Sequence, residues 1–135
     1  MSETFWRLDS SFTVLVGEED PPLRDSLCEA FHPPRFATMI ARSGMEAVRI
    51  ARREMVHLMI MDVRMPDVGG IDAYRMIRRF NRAVPCILLS EDTSRRTQTA
   101  AMSESAYALM RKPVDLGHLR FVVDELLLKR YGASP

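Results

Sequence analysis

Lysine is scarce in this chain: of 19 basic residues only Lys112 and Lys129 are lysines, and the rest are arginines. Net charge is scarce too, with 19 basic residues against 18 acidic ones. A near-neutral chain has no overall field to gather nucleic acid or an anionic membrane, so its partners must be recognised at local sites. Only two cysteines occur, Cys28 and Cys86, far apart and without metal-ligand spacing, and they read as reduced core thiols of a cytoplasmic protein. No apolar run approaches the roughly 18 residues of a membrane helix. The opening MSETFWRLDSS lacks the basic-then-apolar order of a secretion signal. Repeats, low-complexity tracts and Gly/Ser linkers are absent as well. These absences leave one globular domain, expected over residues 10–131, with loose tails at 1–9 and 132–135.

Short β-type runs alternate with longer helical patterns along the whole chain. SFTVLVG, RFATMIA, the apolar part of VHLMIMD, VPCILLS and YALM read as five strands. PPLRDSLCEAF opens a helix on proline, and SGMEAVRIARREM follows a plausible Ser43 cap with Met45, Val48, Ile50 and Met55 as apolar positions. GIDAYRMIRRFNR is a third helix with Ile71, Tyr74, Met76 and Ile77 inward, and TSRRTQTAAMSESA is the most weakly periodic. DLGHLRFVVDELLLKRY reads as a strongly amphipathic last helix. Strict alternation implies an α/β fold: a doubly wound, five-stranded parallel sheet in a three-layer, flavodoxin-like (βα)5 sandwich, because parallel neighbours need crossover helices. LMIM and CILL are apolar on both faces, as a doubly covered sheet requires.

In such sheets ligands bind beyond the carboxyl ends of the strands. There the first strand runs into Glu18, Glu19 and Asp20, the third ends in Asp62, the fourth in Ser90 followed by Glu91 and Asp92, and the fifth is followed by Arg111 and Lys112. Crowded carboxylates repel unless a cation neutralises them, and short oxygen-bearing side chains suit Mg2+. Asp62 beside such an ion is placed as a nucleophile that accepts a phosphoryl group, with Lys112 neutralising charge and Ser90 donating a hydrogen bond. Each residue has a plainer reading alone: Asp62 as a turn residue, Glu18 to Asp20 as a solvated helix start, Ser90 as a strand-end cap, Lys112 as surface charge. Their combination outweighs those readings.

That combination resembles a response regulator receiver domain over about residues 12–130. The strand, acidic pair and proline appear as VLVGEEDPPLRDSL, and the acceptor segment as Asp62, Met65-Pro66 and Gly70. Ser90 matches the switch hydroxyl, and Lys112-Pro113 the lysine before proline. The resemblance implies that Asp62 is the phosphoacceptor. It implies a Mg2+ site held by Glu19 directly, by Glu18 through water, by the main-chain carbonyl of Arg64 and by Asp62 itself. Ser90 and Lys112 would hold the phosphoryl group. The donor would be a histidine kinase or phosphotransfer protein, and the output a protein target on the face of the fourth helix, fifth strand and last helix.

The departures carry expectations of their own. Glu18 and Glu19 stand where aspartates are usual, so each carboxylate reaches one bond farther, and Gly17 would let the loop draw back. Glu91 adds bulk and charge at the phosphoryl entrance, where Arg64 also stands, and predicts slow phosphorylation, slow hydrolysis or both. Leu109 replaces the usual switch aromatic; Tyr107, two residues earlier, is placed on the same strand face by the two-residue period. Ser105-Ala106 replaces a usual glycine-alanine.

The chain is not expected to be an enzyme or to bind nucleic acid. Arg49, Arg52 and Arg53, and Arg75, Arg78, Arg79 and Arg82, read as solvated helix faces. The alternative is a degenerate receiver that binds a partner without phosphorylation. An aspartate-nucleophile phosphohydrolase is disfavoured because Arg64 occupies the place of its second aspartate.

Overall fold

The computed structural model describes residues 11–132, so the expected tails lie outside the described residues apart from Gly132. Five strands, β1 (Phe12–Gly17), β2 (Phe36–Ala41), β3 (Leu58–Asp62), β4 (Cys86–Ser90) and β5 (Ala108–Arg111), form one parallel sheet in the order β2-β1-β3-β4-β5. Five helices connect or follow them: α1 (Pro21–Ala30), α2 (Gly44–Arg53), α3 (Gly70–Arg78), α4 (Arg95–Ser103) and α5 (Leu116–Tyr131).

The strand side chains alternate between two cores. Val14, Val16, Leu58, Ile60, Ile87 and Leu89 pack with α1 and α5 through Leu27, Phe31, Leu119, Val123 and Leu127. Leu15, Met59, Met61 and Leu88 pack with α2 and α3, including Val48, Ala51, Tyr74 and Ile77. A fully buried Leu, Ile or Met contributes roughly 1.5–3 kcal/mol by leaving water, so the central strands hold the three layers together. Local chemistry sets the helix starts: Ser43 accepts from Glu46 N at 3.0 Å, and Asp115 from His118 N at 3.0 Å.

Several sequence expectations need correction. Met55 is not an inward position: α2 ends at Arg53, and Met55 lies beyond its cap with 78% of its surface exposed. The third helix stops at Arg78, short of the full GIDAYRMIRRFNR segment. The last helix is less amphipathic than its pattern suggests, because Phe121 and Leu128 stay exposed at 64% and 53% while Leu119, Val123, Leu126 and Leu127 are buried. Gly17 also has a packing role. A Cβ there would lie 2.4 Å from Met61 Sδ, so the missing side chain makes room for a buried methionine. Tyr107 precedes β5, so the strand period does not govern it: it packs on the α1/α5 core and bonds Glu125 of α5 at 3.3 Å, whereas Leu109 packs on the opposite core.

Candidate functional site

At the carboxyl ends of the strands, the switch of strand order falls between β1 and β3, and Glu18 and Asp62 flank it. Gly70 N bonds the Val63 carbonyl at 3.0 Å, and a Cβ on Gly70 would lie only 2.1 Å from the Asp62 carbonyl oxygen. That close approach of α3 to β3 needs a glycine and fixes the backbone beneath the Asp62 carboxylate.

Asp62 is buried, and its two oxygens have different partners. Oδ1 accepts from Arg64 N at 2.8 Å, while Oδ2 accepts from Lys112 Nζ. Lys112 stands two strands away along the sheet, a distance near 10 Å, which only a long unbranched side chain spans. The same ammonium lies 3.1 Å from Glu18 Oε1. The contact is an ion pair, and the buried Oε1 has no partner in full hydrogen-bond geometry. Burial raises the pKa of Glu18, assisted by the charge of Asp62 and opposed by Lys112. Burial works against the Lys112 ammonium, but its bond to Asp62 and its close pairing with the Asp62 and Glu18 carboxylates outweigh this and raise its pKa.

A cavity of about 420 Å3 opens over this pair. Glu18, Glu19, Asp20, Asp62 and Glu91 line it, against two cations, Arg64 and Lys112. The structure therefore brings together Glu18, Glu19, Asp62, Arg64, Glu91 and Lys112, all singled out from sequence. Ser90 and Leu109 do not line the cavity. The Ser90 hydroxyl donates to the Asp92 carbonyl at 2.7 Å and accepts from Asp92 N at 3.0 Å, closing its own turn. Leu109 instead borders a 260 Å3 groove with Ala101, Met102 and Tyr107.

Sequence reasoning missed two features. One is the Glu18–Lys112 ion pair, because residues so far apart in the chain carry no local signal of contact. The other is Thr97, buried in α4, whose hydroxyl donates to Asp92 Oδ2 at 2.9 Å and steadies the turn after β4. Thr97, three residues into the segment after the Ser94 cap, could have been noticed as an inward hydroxyl.

Among the described residues no three His, Cys, Asp or Glu side chains are already gathered tightly enough to hold a metal. Lys112 stands between Glu18 and Asp62, and Glu19 is exposed. The donor chemistry nevertheless fits a hard cation: an excess of carboxylates, with the buried Glu18 Oε1 lacking a hydrogen bond.

Comparison with known proteins agrees with this geometry. Residues 14–124 match the response regulator receiver domain family, and the chain belongs to that family. It is similar to the transcriptional regulatory protein GlrR of Escherichia coli strain K12, at 29% identity over 114 residues, covering 84% of this chain and 26% of that protein. The chain thus spans about a quarter of the length of this curated relative. Its fold is similar to the CheY-like receiver domain protein from Methanospirillum hungatei, with a TM-score of 0.86 at 20% identity, covering 91% of this chain and 98% of that one. It is also similar to response regulator TrrA of Thermotoga maritima, solved in complex with Mg2+–BeF, with a TM-score of 0.76 at 24% identity, covering 86% and 99%. The chain is a receiver domain of the two-component type, a family whose standard role is to accept a phosphoryl group. No described helix is long and apolar enough to cross a membrane.

Proposed function

We propose that Asp62 accepts a phosphoryl group from a histidine kinase or phosphotransfer protein, within a receiver unit spanning residues 10–131. A carboxylate oxygen of Asp62 attacks phosphorus as the bond to the donor imidazole nitrogen breaks, and the imidazole leaves with the electron pair. Lys112 shifts from Asp62 Oδ2 to the transferred phosphoryl oxygens, so its charge stays in the site. Arg64 N keeps its bond to Oδ1 and holds the carboxylate in place. Glu19 directly, Glu18 through water, the Arg64 carbonyl and Asp62 itself would hold Mg2+, which when bound neutralises the charge of the incoming phosphoryl group. Ser90 joins only if its hydroxyl leaves Asp92. Glu91 and Arg64 stand at the cavity and govern access.

One observation supports this reading above the rest: a lysine from the far side of the sheet bonds a buried aspartate at the switch point of the fold, within an acidic cavity. The output is contact with a protein target through α4, β5 and α5, in the cytoplasm and without catalytic turnover of its own. Incubation with Mg2+ and a small phosphodonor should add one phosphoryl group to the intact mass, and Asp62→Asn should abolish it.

The second reading is a degenerate receiver that binds its partner constitutively. Its support is that Lys112 occupies the space between Glu18 and Asp62 while Ser90 is committed to Asp92. Absence of both an Asp62-dependent adduct and Mg2+ binding would decide for this reading against the first.

A further inference from the structure

A second charged cluster lies at the opposite end of the strands, where α1 finishes and β2 begins. A cleft of about 150 Å3 is lined there by Arg35, Phe36 and Arg120, with Ala30 and His32. Both guanidiniums gather around one ring: the Phe36 centroid is 4.8 Å from Arg35 Cζ and 5.5 Å from Arg120 Cζ. Burial lowers the pKa of Arg35, and Arg120 pushes it the same way against the attraction of Asp124.

Protein atoms satisfy little of this pair. Arg35 Nη2 donates to Asp124 Oδ1 at 3.0 Å, and Arg120 Nη1 donates to the Ala30 carbonyl at 2.9 Å. Both Nε atoms are buried without a hydrogen-bond partner. A guanidinium carries about five N–H donors, so most of the pair's donors are unspent among the described residues. Stacking on Phe36 offsets part of that cost, yet Asp124 cancels only one of the two positive charges. The cleft keeps a single positive charge.

We propose that this cleft binds a single carboxylate group through Arg35 and Arg120. One carboxylate neutralises the residual charge, whereas a phosphate dianion overshoots it. The planar fork of a guanidinium matches a carboxylate's two oxygens. At half or less of the roughly 300 Å3 at which pockets accept whole small ligands, the cleft admits the carboxylate and leaves the rest of the ligand outside. The carboxylate belongs either to a free small acid or to the carboxyl terminus of a polypeptide.

The test follows the Nε–H resonances of Arg35 and Arg120 in the full isotope-labelled chain as sodium acetate is added, against sodium chloride at matched ionic strength. Saturable shifts with acetate alone are expected, weakened about tenfold in Arg120→Gln. Arg120 also caps α1, so if the glutamine variant fails to fold, Arg120→Lys replaces it and should bind more weakly than the parent. Equal, unsaturating shifts in both salts overturn the proposal, as does acetate binding undiminished in the folded variant. Inorganic phosphate binding tighter than acetate overturns the carboxylate assignment. A short peptide with a free carboxyl terminus separates the two sources. Tighter binding than acetate assigns the site to a chain terminus, equal binding assigns it to a free acid, and equal binding of the amidated peptide overturns both.

Discussion

The two ends of β1 and β3 handle their polar groups in opposite ways. At the carboxyl ends, Glu18 and Asp62 share one ammonium, and Glu18 Oε1 is left without a hydrogen bond. At the amino ends, Thr13 N donates to His57 Nδ1 at 2.9 Å, His57 N donates back to the Thr13 carbonyl at 2.9 Å, and the Tyr131 hydroxyl donates to the His57 carbonyl at 2.6 Å. The Phe12 and Tyr131 rings each stand 5.4 Å from the imidazole, edge-on. One end is a finished knot that ties the end of α5 to the sheet. The other is an unfinished one, and incomplete satisfaction is what leaves room for a ligand to contribute binding energy.

The strongest way to break the unfinished end is Gly70→Ala. A methyl group 2.1 Å from the Asp62 carbonyl must push α3 from β3, costing about 2–3 kcal/mol in denaturant unfolding and displacing Asp62 from Lys112. The contacts between Tyr131 and His57 should survive, visible as unchanged ring resonances. If they shift as much as those around Asp62, the two ends are not independent.

Lys112→Met comes next. It leaves two buried carboxylates facing each other without a cation, at a cost on the order of 2 kcal/mol at neutral pH. Glu18 already has a raised pKa, so protonating it relieves the repulsion, and the gap between variant and parent should narrow as the pH falls. A gap that stays constant on acidification would show that the lysine's effect is not electrostatic.

Ser105→Gly sharpens the account of the loop entering β5. Ser105 sits at φ 60°, where a side chain is strained, so glycine should stabilise by about 0.5–1 kcal/mol, measured by thermal unfolding.

The smallest effect is the pH response of the finished knot. His57 must be neutral at Nδ1 to accept from Thr13, and burial lowers its pKa below the ordinary 6.5. The unfolded chain therefore takes up a proton at a pH where the folded chain does not. The contribution of His57 is complete above 6.5 and is lost as pH falls from there through the folded value. His57→Gln keeps an acceptor without the titration, so urea midpoints measured across this range should flatten; an unchanged slope would assign the dependence to other groups.

Much of the molecule was legible from the chain alone because its signals are local. Ser43 was placed as a cap by residue type and accepts the expected hydrogen bond, and the last helix does begin just after Asp115, at the start of its periodic segment. The weakly periodic segment after β4 still forms α4, because Ser94 caps it and Thr97 and Ala101 are buried. Errors arose where local pattern stopped being the deciding force. Met55 belonged to the apolar period but lies past the helix end, and Tyr107 obeyed the two-residue period only on paper, because it precedes the strand. Within the site, the acids, Asp62 and Lys112 were readable as chemistry, while the orientation of Ser90 was not, since a short hydroxyl takes whichever partner the turn offers.

By itself the sequence determined the alternation of strands and helices, the two-faced burial of the central strands, and which polar residues stand at strand ends. Periodicity, caps and turn residues act over a few positions, and that range is enough. Only the tertiary structure decided that β1 lies between β2 and β3, so that Glu18 faces Asp62, and that Lys112 reaches across two strands to pair with both. It also decided that Met61 fills the space above Gly17 and that Arg35 and Arg120 meet over Phe36. Those contacts join residues far apart in the chain, and they depend on strand order and on the space packing leaves, which no short window of residues encodes.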